Sequence, residues 1–421
     1  MNTQEEMKMK KRSVKQLGLG LISLGILGGL AACGNGNSSA EGEADEGKTL
    51  TVSVDSGYKD YINEIKNTFE KENDVKIKLV EKDMFDQLES LALDGPAGKG
   101  PDVMMAAYDR IGALGQQGHL AEVKLGNEAA YDETDKAQVT YDGKIYGEPA
   151  VIETLVLYYN KDLVDTAPST FKDLENLSKD SRFAFESEAG KNTGFLAKWT
   201  DFYYSYGLIA GYGGYVFGDD GTNPSDIGLN NAGAVEGISY ATDWFKNVWP
   251  KGMQDIKSAG DFASQQFMSN KTAAIIDGPW QAQTYKENNI NYGVAKIPTY
   301  QPFGGGRGWV VSNYAKNKDL SQKWLDYVTN QENQEKFFEM VNEIPANQQA
   351  RETAKAKNDE LTTAVIEQYE TAQAMPNIPE MGEVWTGAEN LMFDAASGSK
   401  TPKESADEAV KTISEAIEQK Y

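Results

Sequence analysis

From Thr49 onward the chain switches repeatedly between an apolar period of two and one near four. TLTVSV, Thr49 to Val54, sets β-branched and apolar residues in alternation, the mark of a strand. KDYINEIKNTFEKEN then brings Tyr61, Ile62, Ile65 and Phe69 onto one helical face. VKIKLVEK repeats the strand pattern, MFDQLESLALDG the helical one, and PDVMMAA supplies a third strand. Strands alternating with helices predict a parallel sheet covered by helices, an α/β lobe. In such sheets ligands collect beyond the carboxyl ends of the strands, which points to SVDSGY and MMAAYDR.

A second block opens at YDGKIYGEPAVIETLVLYYNKDLV, where Gly143 marks a hairpin turn between two polar strands and VLYYN reads as a buried strand. Helices dominate from TFKDLENL to GPWQAQTY, with TAAIIDG as a further strand, and from Leu320 onward the pattern is almost wholly helical. No segment recurs with a repeat-protein period. At 421 residues the chain exceeds what one hydrophobic core supports, so two lobes are expected. FGGGRGW, Phe303 to Trp309, is a glycine cluster without the dinucleotide or Walker spacing, and nucleotide binding gains nothing from it.

The first 32 residues follow a different logic. Lys8, Lys10, Lys11, Arg12 and Lys15 precede the apolar run Leu17 to Ala32, which is short and glycine-rich for a membrane-spanning helix and reads as a signal peptide (1–32). The run ends in LAAC, which resembles the lipobox of bacterial lipoproteins: Ala31 and Ala32 admit a peptidase, and Cys33 becomes the acylated N-terminus. GNGNSSAEGEADEGK follows, with nothing to bury, as a flexible acidic tether (33–48). Two acyl chains give stable anchoring, so the expected place of work is the extracellular face of the cell membrane.

Composition narrows the chemistry. Lys and Arg number 41 against 64 Asp and Glu, a net charge of −23, and such a field repels phosphate backbones, so no nucleic-acid partner is expected. One cysteine excludes an internal disulfide framework, and one histidine, His119, is thin material for proton transfer and reads as a loop or helix-end residue. Asp102 in GPD reads as a turn or cap. DDGTNPSD, Asp219 to Asp226, mimics a calcium loop but lacks its sixth-position glycine and closing glutamate, so no metal is expected.

KWTDFYYSYGLIAGYGGYVFG, Lys198 to Gly218, holds eight aromatic rings. Thr200 or Asp201 can cap a short helix from Phe202 to Ala210 that the following glycines end. Trp199, Phe202 and Tyr206 share one side and suit a core, whereas Tyr203 and Tyr204 point elsewhere. A pyranose would supply the missing partner, since its flat C–H face needs aromatic platforms and its hydroxyl rim needs fixed carboxylates or arginine forks. Candidates are Asp55, Asp109 and Arg110 at strand ends, Glu153, and the rings of Tyr203, Trp280 and Trp385.

Taken together, GKGPDVMMAAYDRIGALGQQGHLAEV, GKIYGEPAVIETLVLYYNKDL, GGYVF, DIGLNNAGAVEGI, TAAIIDGPW, NYGVAKIPT, MPNIPEM and AASG resemble the maltose and maltodextrin-binding proteins, the solute-binding components of carbohydrate ABC importers. The likeness runs from about Leu50 to Gly398, with MPNIPEM, the Trp that follows it, and DGPW as its most specific pieces. It implies a two-lobed, type II periplasmic-binding-protein-like α/β fold, its lobes formed by 49–151 with 309–346 and by 152–308 with 347–421. The implied ligand is a malto-oligosaccharide held by Asp55, Ser56, Asp109, Arg110, Glu153 and Asp201, with Tyr203, Tyr206, Trp280 and Trp385 as aromatic contacts. The implied partners are the permease subunits of an importer, with no cofactor and a monomeric chain.

Four positions depart from the best-known members: Ser56 replaces a lysine, Ala106 a tryptophan, Ala282 a tryptophan and Glu389 an arginine. With fewer donors and platforms at one end, longer malto-oligosaccharides are favoured over maltose. The leading reading is therefore a binding protein without chemistry, closing by rotation at strands crossing near Val151, Gly308 and Ala346. Its rivals are a secreted glycoside hydrolase, which would need two carboxylates flanking the scissile bond, and a passive surface lectin, which would bind without closing. Another oligosaccharide as ligand also remains open.

Overall fold

The computed structural model describes residues 48–357 and 359–421; Cys33 and the assigned leader lie outside them, as does the tether up to residue 47. The strands are β1 (Thr49–Val54), β2 (Lys76–Glu81), β3 (Val103–Ala107), β4 (Thr140–Tyr141), β5 (Lys144–Ile145), β6 (Glu148–Glu153) and β7 (Val156–Asn160). They continue with β8 (Phe195–Ala197), β9 (Asn223–Ile227), β10 (Ala274–Asp277), β11 (Tyr292–Ala295), β12 (Phe303–Val311), β13 (Ile344–Pro345) and β14 (Gln373–Ala374). One sheet runs in the order β13-β6-β12-β3-β1-β2, with β14 joining the start of β12, and a second runs β11-β7-β10-β8. From Lys318 the chain is helical apart from β13, β14 and the connections.

The opening periodicity folds as it reads. Leu50, Val52 and Val54 are buried on β1, Tyr61, Ile62, Ile65 and Phe69 on the helix Lys59–Asn73, and β1 pairs in parallel with both β2 and β3. The parallel expectation fails further along. β12 runs antiparallel to β3 and β6, and β7 antiparallel to β10 and β11, leaving β8 and β10 as the parallel pair of the second sheet. The route explains the reversal, because β12 enters the first sheet from outside it rather than over a covering helix.

Buried apolar side chains form two cores. One gathers β1, β3, the helix Lys318–Val328 and Trp309; the other gathers β7, β8, β10, the aromatic stretch around Trp199 and the C-terminal helices. The chain passes between them at Ala130 and Tyr131, which join the second core between Val123 and Val139 of the first, and at three further places in or beside strands β6, β12 and β13. Val151 belongs to the first core and Ile152 to the second; Phe303 to the second and Trp309 to the first; Phe337 to the first, and Phe338, Ile344 and Ala346 to the second. The architecture is thus two α/β lobes joined by crossing strands.

FGGGRGW, read from sequence as a glycine cluster, is one of these crossings. Gly306 has φ 144°, and a Cβ there would lie 1.9 Å from the carbonyl oxygen of Val151 and 2.9 Å from the Tyr108 ring. Only a residue without a side chain lets β12 approach β6 so closely. Other local readings hold. Asp142 and Gly143 take φ 48° and 71° between β4 and β5, the left-handed pair of a two-residue hairpin. Asp102 accepts the amides of Thr51 (2.8 Å) and Lys316 (3.0 Å), and His119 follows the helix Tyr108–Gln116, its Nδ1 2.9 Å from the Tyr314 hydroxyl.

Candidate binding site

Two carboxylates stand where parallel strands end. Asp55 follows β1, and its Oδ1 accepts the amide of Met84 at 2.9 Å; burial raises its pKa against that bond and against the nearby Arg307. Ser56 is exposed in the single turn Ser56–Tyr58. Asp109 lies in the first turn of the helix that leaves β3, where the helix dipole favours a negative charge. Its Oδ2 accepts the indole N–H of Trp385 at 3.2 Å and sits 3.3 Å from Nε of Arg110. Burial raises the Asp109 pKa, with Arg110 and Trp385 opposing. Arg110 is exposed, its guanidinium 5.9 Å from the centre of the Phe85 ring.

The aromatic stretch supplies the facing wall. Asp201 caps the helix Phe202–Gly211, accepting the amide of Tyr203 at 2.9 Å, and its other oxygen takes the Lys198 ammonium at 2.9 Å. Trp199, Phe202 and Tyr206 are buried. Tyr206 lies face to face with Phe303, ring centres 3.8 Å apart; it is 3 % exposed and lines a second cavity with Val216 and Asp219. Tyr203 flanks the other part of Phe303 at 6.1 Å and reaches Trp280 at 6.3 Å. The Tyr203 hydroxyl is buried and unpartnered among the described residues. Its pKa is pushed well up by burial, then by Glu153, Asp109 and Asp201, so three carboxylates bear on one undonated proton. Trp385 completes the wall, edge-on to Phe202 at 5.9 Å and Phe303 at 5.8 Å.

Beside this wall lies a cavity of about 570 Å³ lined by Glu153, Arg307, Glu343, Trp280, Lys286 and Tyr292, among others. Glu153 ends β6, and its Oε2 accepts from Nη2 of Arg307 at 3.1 Å; the same nitrogen meets Glu343 at 3.0 Å. Trp280, in the turn Pro279–Gln281, is 47 % exposed, ready to cover an apolar surface.

The expected residues therefore fall into linked groups: Asp109 touches both Arg110 and Trp385, Tyr203 and Trp280 share a ring contact, and Glu153 and Trp280 line the cavity. Asp109 and Trp385 do not line it; they meet each other, one from each lobe. Sequence reasoning missed Arg307, Glu343, Tyr58 and Phe303. Arg307 carries a legible signal, a lone cation in a glycine run. Glu343 and Tyr58 carry none, since one follows a helix and the other begins one with no periodic mark. Among the described residues no cluster of His, Cys, Asp or Glu is arranged to hold a metal ion, and no helix is long and apolar enough to cross a membrane.

Comparison with known proteins bears on the same features. A family model described as bacterial extracellular solute-binding protein matches residues 64–364. Maltodextrin-binding protein MdxE of Bacillus subtilis is 61% identical over 399 residues, which are 93% of this chain and 95% of that one. A maltooligosaccharide ABC transporter solute-binding lipoprotein of Streptococcus pneumoniae is 52% identical over 412 residues, 96% of this chain and 97% of that one. Among solved structures, a maltose-binding periplasmic protein MalE of Listeria monocytogenes in complex with maltose superimposes with a TM-score of 0.86 at 74% identity, covering 90% of this chain and 100% of that chain.

Proposed function

We propose that this chain, which belongs to the bacterial extracellular solute-binding protein family, captures malto-oligosaccharides between its two lobes and delivers them to an ABC importer. The observation that carries the reading is the contact between Trp385 and Asp109. An indole from the second lobe and a carboxylate from the first converge on one spot, with Tyr203, Arg110 and Glu153 around it. Flat rings beside ionised hydrogen-bonding groups match the C–H face and hydroxyl rim of a glucose unit. Asp55, Asp201 and Trp280 extend the contact surface, Ser56 offers a hydroxyl near Asp55, and the buried Tyr206 supports Phe303 from behind.

Lobes 49–151 with 309–346 and 152–308 with 347–421 would rotate about the three crossings, a hinge closure driven by ligand contacts present only in the closed form. The protein is not an enzyme; capture and presentation to the permease subunits are its work, and it acts as a monomer without a cofactor. Calorimetric titration of the soluble domain with maltotetraose and with cellotetraose tests the specificity. Binding of the α-linked chain alone is expected, with no shorter sugars released on long incubation. Indifference to every α-glucan at millimolar concentration would refute the proposal, and released sugars would replace it with a hydrolase.

Anchoring is assigned to Cys33. A Cys33→Ala variant expressed with its leader is expected to leave the cell surface and appear in the medium; unchanged retention in the membrane fraction would contradict a lipid anchor.

A further inference from the structure

Arg307 ties together the three crossings made in or beside strands β6, β12 and β13. It sits on β12 between Phe303 of the second core and Trp309 of the first. Its Nη2 donates to Glu153, at the end of the β6 crossing, and to Glu343, just before the β13 crossing. Its Nη1 donates to the Tyr58 hydroxyl, which in turn donates to Glu343 at 2.6 Å, and the guanidinium lies 5.7 Å from the centre of the Tyr58 ring. One planar fork thus joins all three crossing segments and the start of a first-lobe helix. The side chain is 17 % exposed, and the parts of it that are not buried border the cavity with Glu153 and Glu343.

The charges make this a constraint rather than a decoration. Two carboxylates and one guanidinium meet in a partly buried place; burial opposes the arginine charge, and Tyr58, Glu153 and Glu343 outweigh it, so the group is held cationic. Without the cation, Glu153 and Glu343 would face each other with like charge across two crossings that pair side by side in one sheet. Lysine does not replace it, because a single ammonium cannot match a fork that meets three oxygens in fixed directions. Gly306 and Gly308 on either side of Arg307 let β12 lie close against β6, where an added Cβ would come 1.9 Å from the Val151 carbonyl oxygen and 3.0 Å from that of Glu148.

We propose that Arg307 is a positioning residue that couples occupancy of the cavity to lobe closure, by locking the three crossings in register and aiming Glu153 at the ligand. The ligand half of this statement rests on the malto-oligosaccharide reading above; the hinge half does not. Small-angle scattering of the ligand-free protein and calorimetry with maltotetraose, on the parent, Arg307→Met, Arg307→Lys and Glu343→Gln, test it.

Arg307→Met is expected to enlarge the ligand-free radius of gyration and to weaken maltotetraose binding about tenfold or more, within the usual range of coupling between sites. Arg307→Lys should restore neither, and Glu343→Gln should shift both in the same direction by a smaller step. A variant that melts lower but is as compact and binds as tightly as the parent would overturn the proposal. If Arg307→Met fails to fold, Glu343→Gln and Arg307→Lys decide it. If the parent binds no glucan, the ligand reading fails and the ligand-free scattering still decides the hinge.

Discussion

Replacing Trp385 by alanine should weaken maltotetraose binding by about 2–4 kcal/mol, roughly 30- to 1000-fold, the range for a central aromatic anchor. The size follows from the position. Trp385 rests edge-on against Phe202 and Phe303, so its orientation is fixed before ligand arrives and little entropy is spent in using it. Its indole N–H also satisfies Asp109, whose carboxyl burial already disfavours as an anion. In the proposed site, truncation would therefore remove a platform and at the same time loosen the carboxylate beside it. Calorimetry of Trp385→Ala against the parent gives the number, and an unchanged affinity would remove Trp385 from the site.

Trp280 makes the contrast. It is about half exposed and, among the aromatic rings of the described residues, touches Tyr203 alone, so Trp280→Ala should weaken binding less and leave the melting temperature of the ligand-free protein unchanged. Trp385→Ala should lower that temperature by a few degrees, because its neighbours are core rings. The sequence treats the two tryptophans alike, since DGPW and the Trp after MPNIPEM look equally specific. Burial separates them.

Much of the fold is legible because the deciding interactions are local. Alternation buries one face of β1, spacing of three and four buries one face of the helix Lys59–Asn73, and Asp-Gly makes the hairpin turn. Asp201 is legible for the same reason, as a carboxylate one residue ahead of a helix. Tyr206 carries two readings at once: its spacing from Phe202 suits a core and the family likeness suggests a ligand contact, and it both stacks on Phe303 and lines a cavity. The crossing strand β12 was the hardest to see. Phe-Gly-Gly-Gly-Arg-Gly has no apolar period, and it is a strand only because β3 and β6 bond it from both sides, a long-range pairing that no local pattern announces. The antiparallel sheet partners were missed for the same cause, since direction depends on which lobe the chain comes from.

Glu148→Gln should stabilise the ligand-free protein at pH 8 and do progressively less as pH falls. Glu148 is 1 % exposed on β6, and burial pushes its pKa from 4.5 up to about 7, with Asp326 adding to the rise and the Gly126 amide (2.9 Å) and Tyr131 hydroxyl (3.3 Å) opposing it. A carboxyl whose pKa is higher folded than unfolded gives its full stability below about pH 4.5 and loses it as pH rises through 7. At pH 8 the parent must bury an anion at a cost of about 3 kcal/mol, by the linkage between pKa and stability. Glutamine keeps an acceptor for Gly126 and Tyr131 and does not ionise, so the gap between variant and parent should widen by about 2 kcal/mol from pH 5 to pH 8. Urea denaturation at both pH values measures it. Asp135, raised to about 6 by burial beside Arg351, titrates in the same window, but it is present in both proteins and drops out of the difference. A gap that stays flat with pH would mean that Glu148 is not the group that charges there. Glu148 bonds the Gly126 loop and Tyr131 rather than lining the cavity, so the variant should bind maltotetraose as the parent does. That outcome would place the pH-sensitive burial in the scaffold and the recognition of sugar in the cleft.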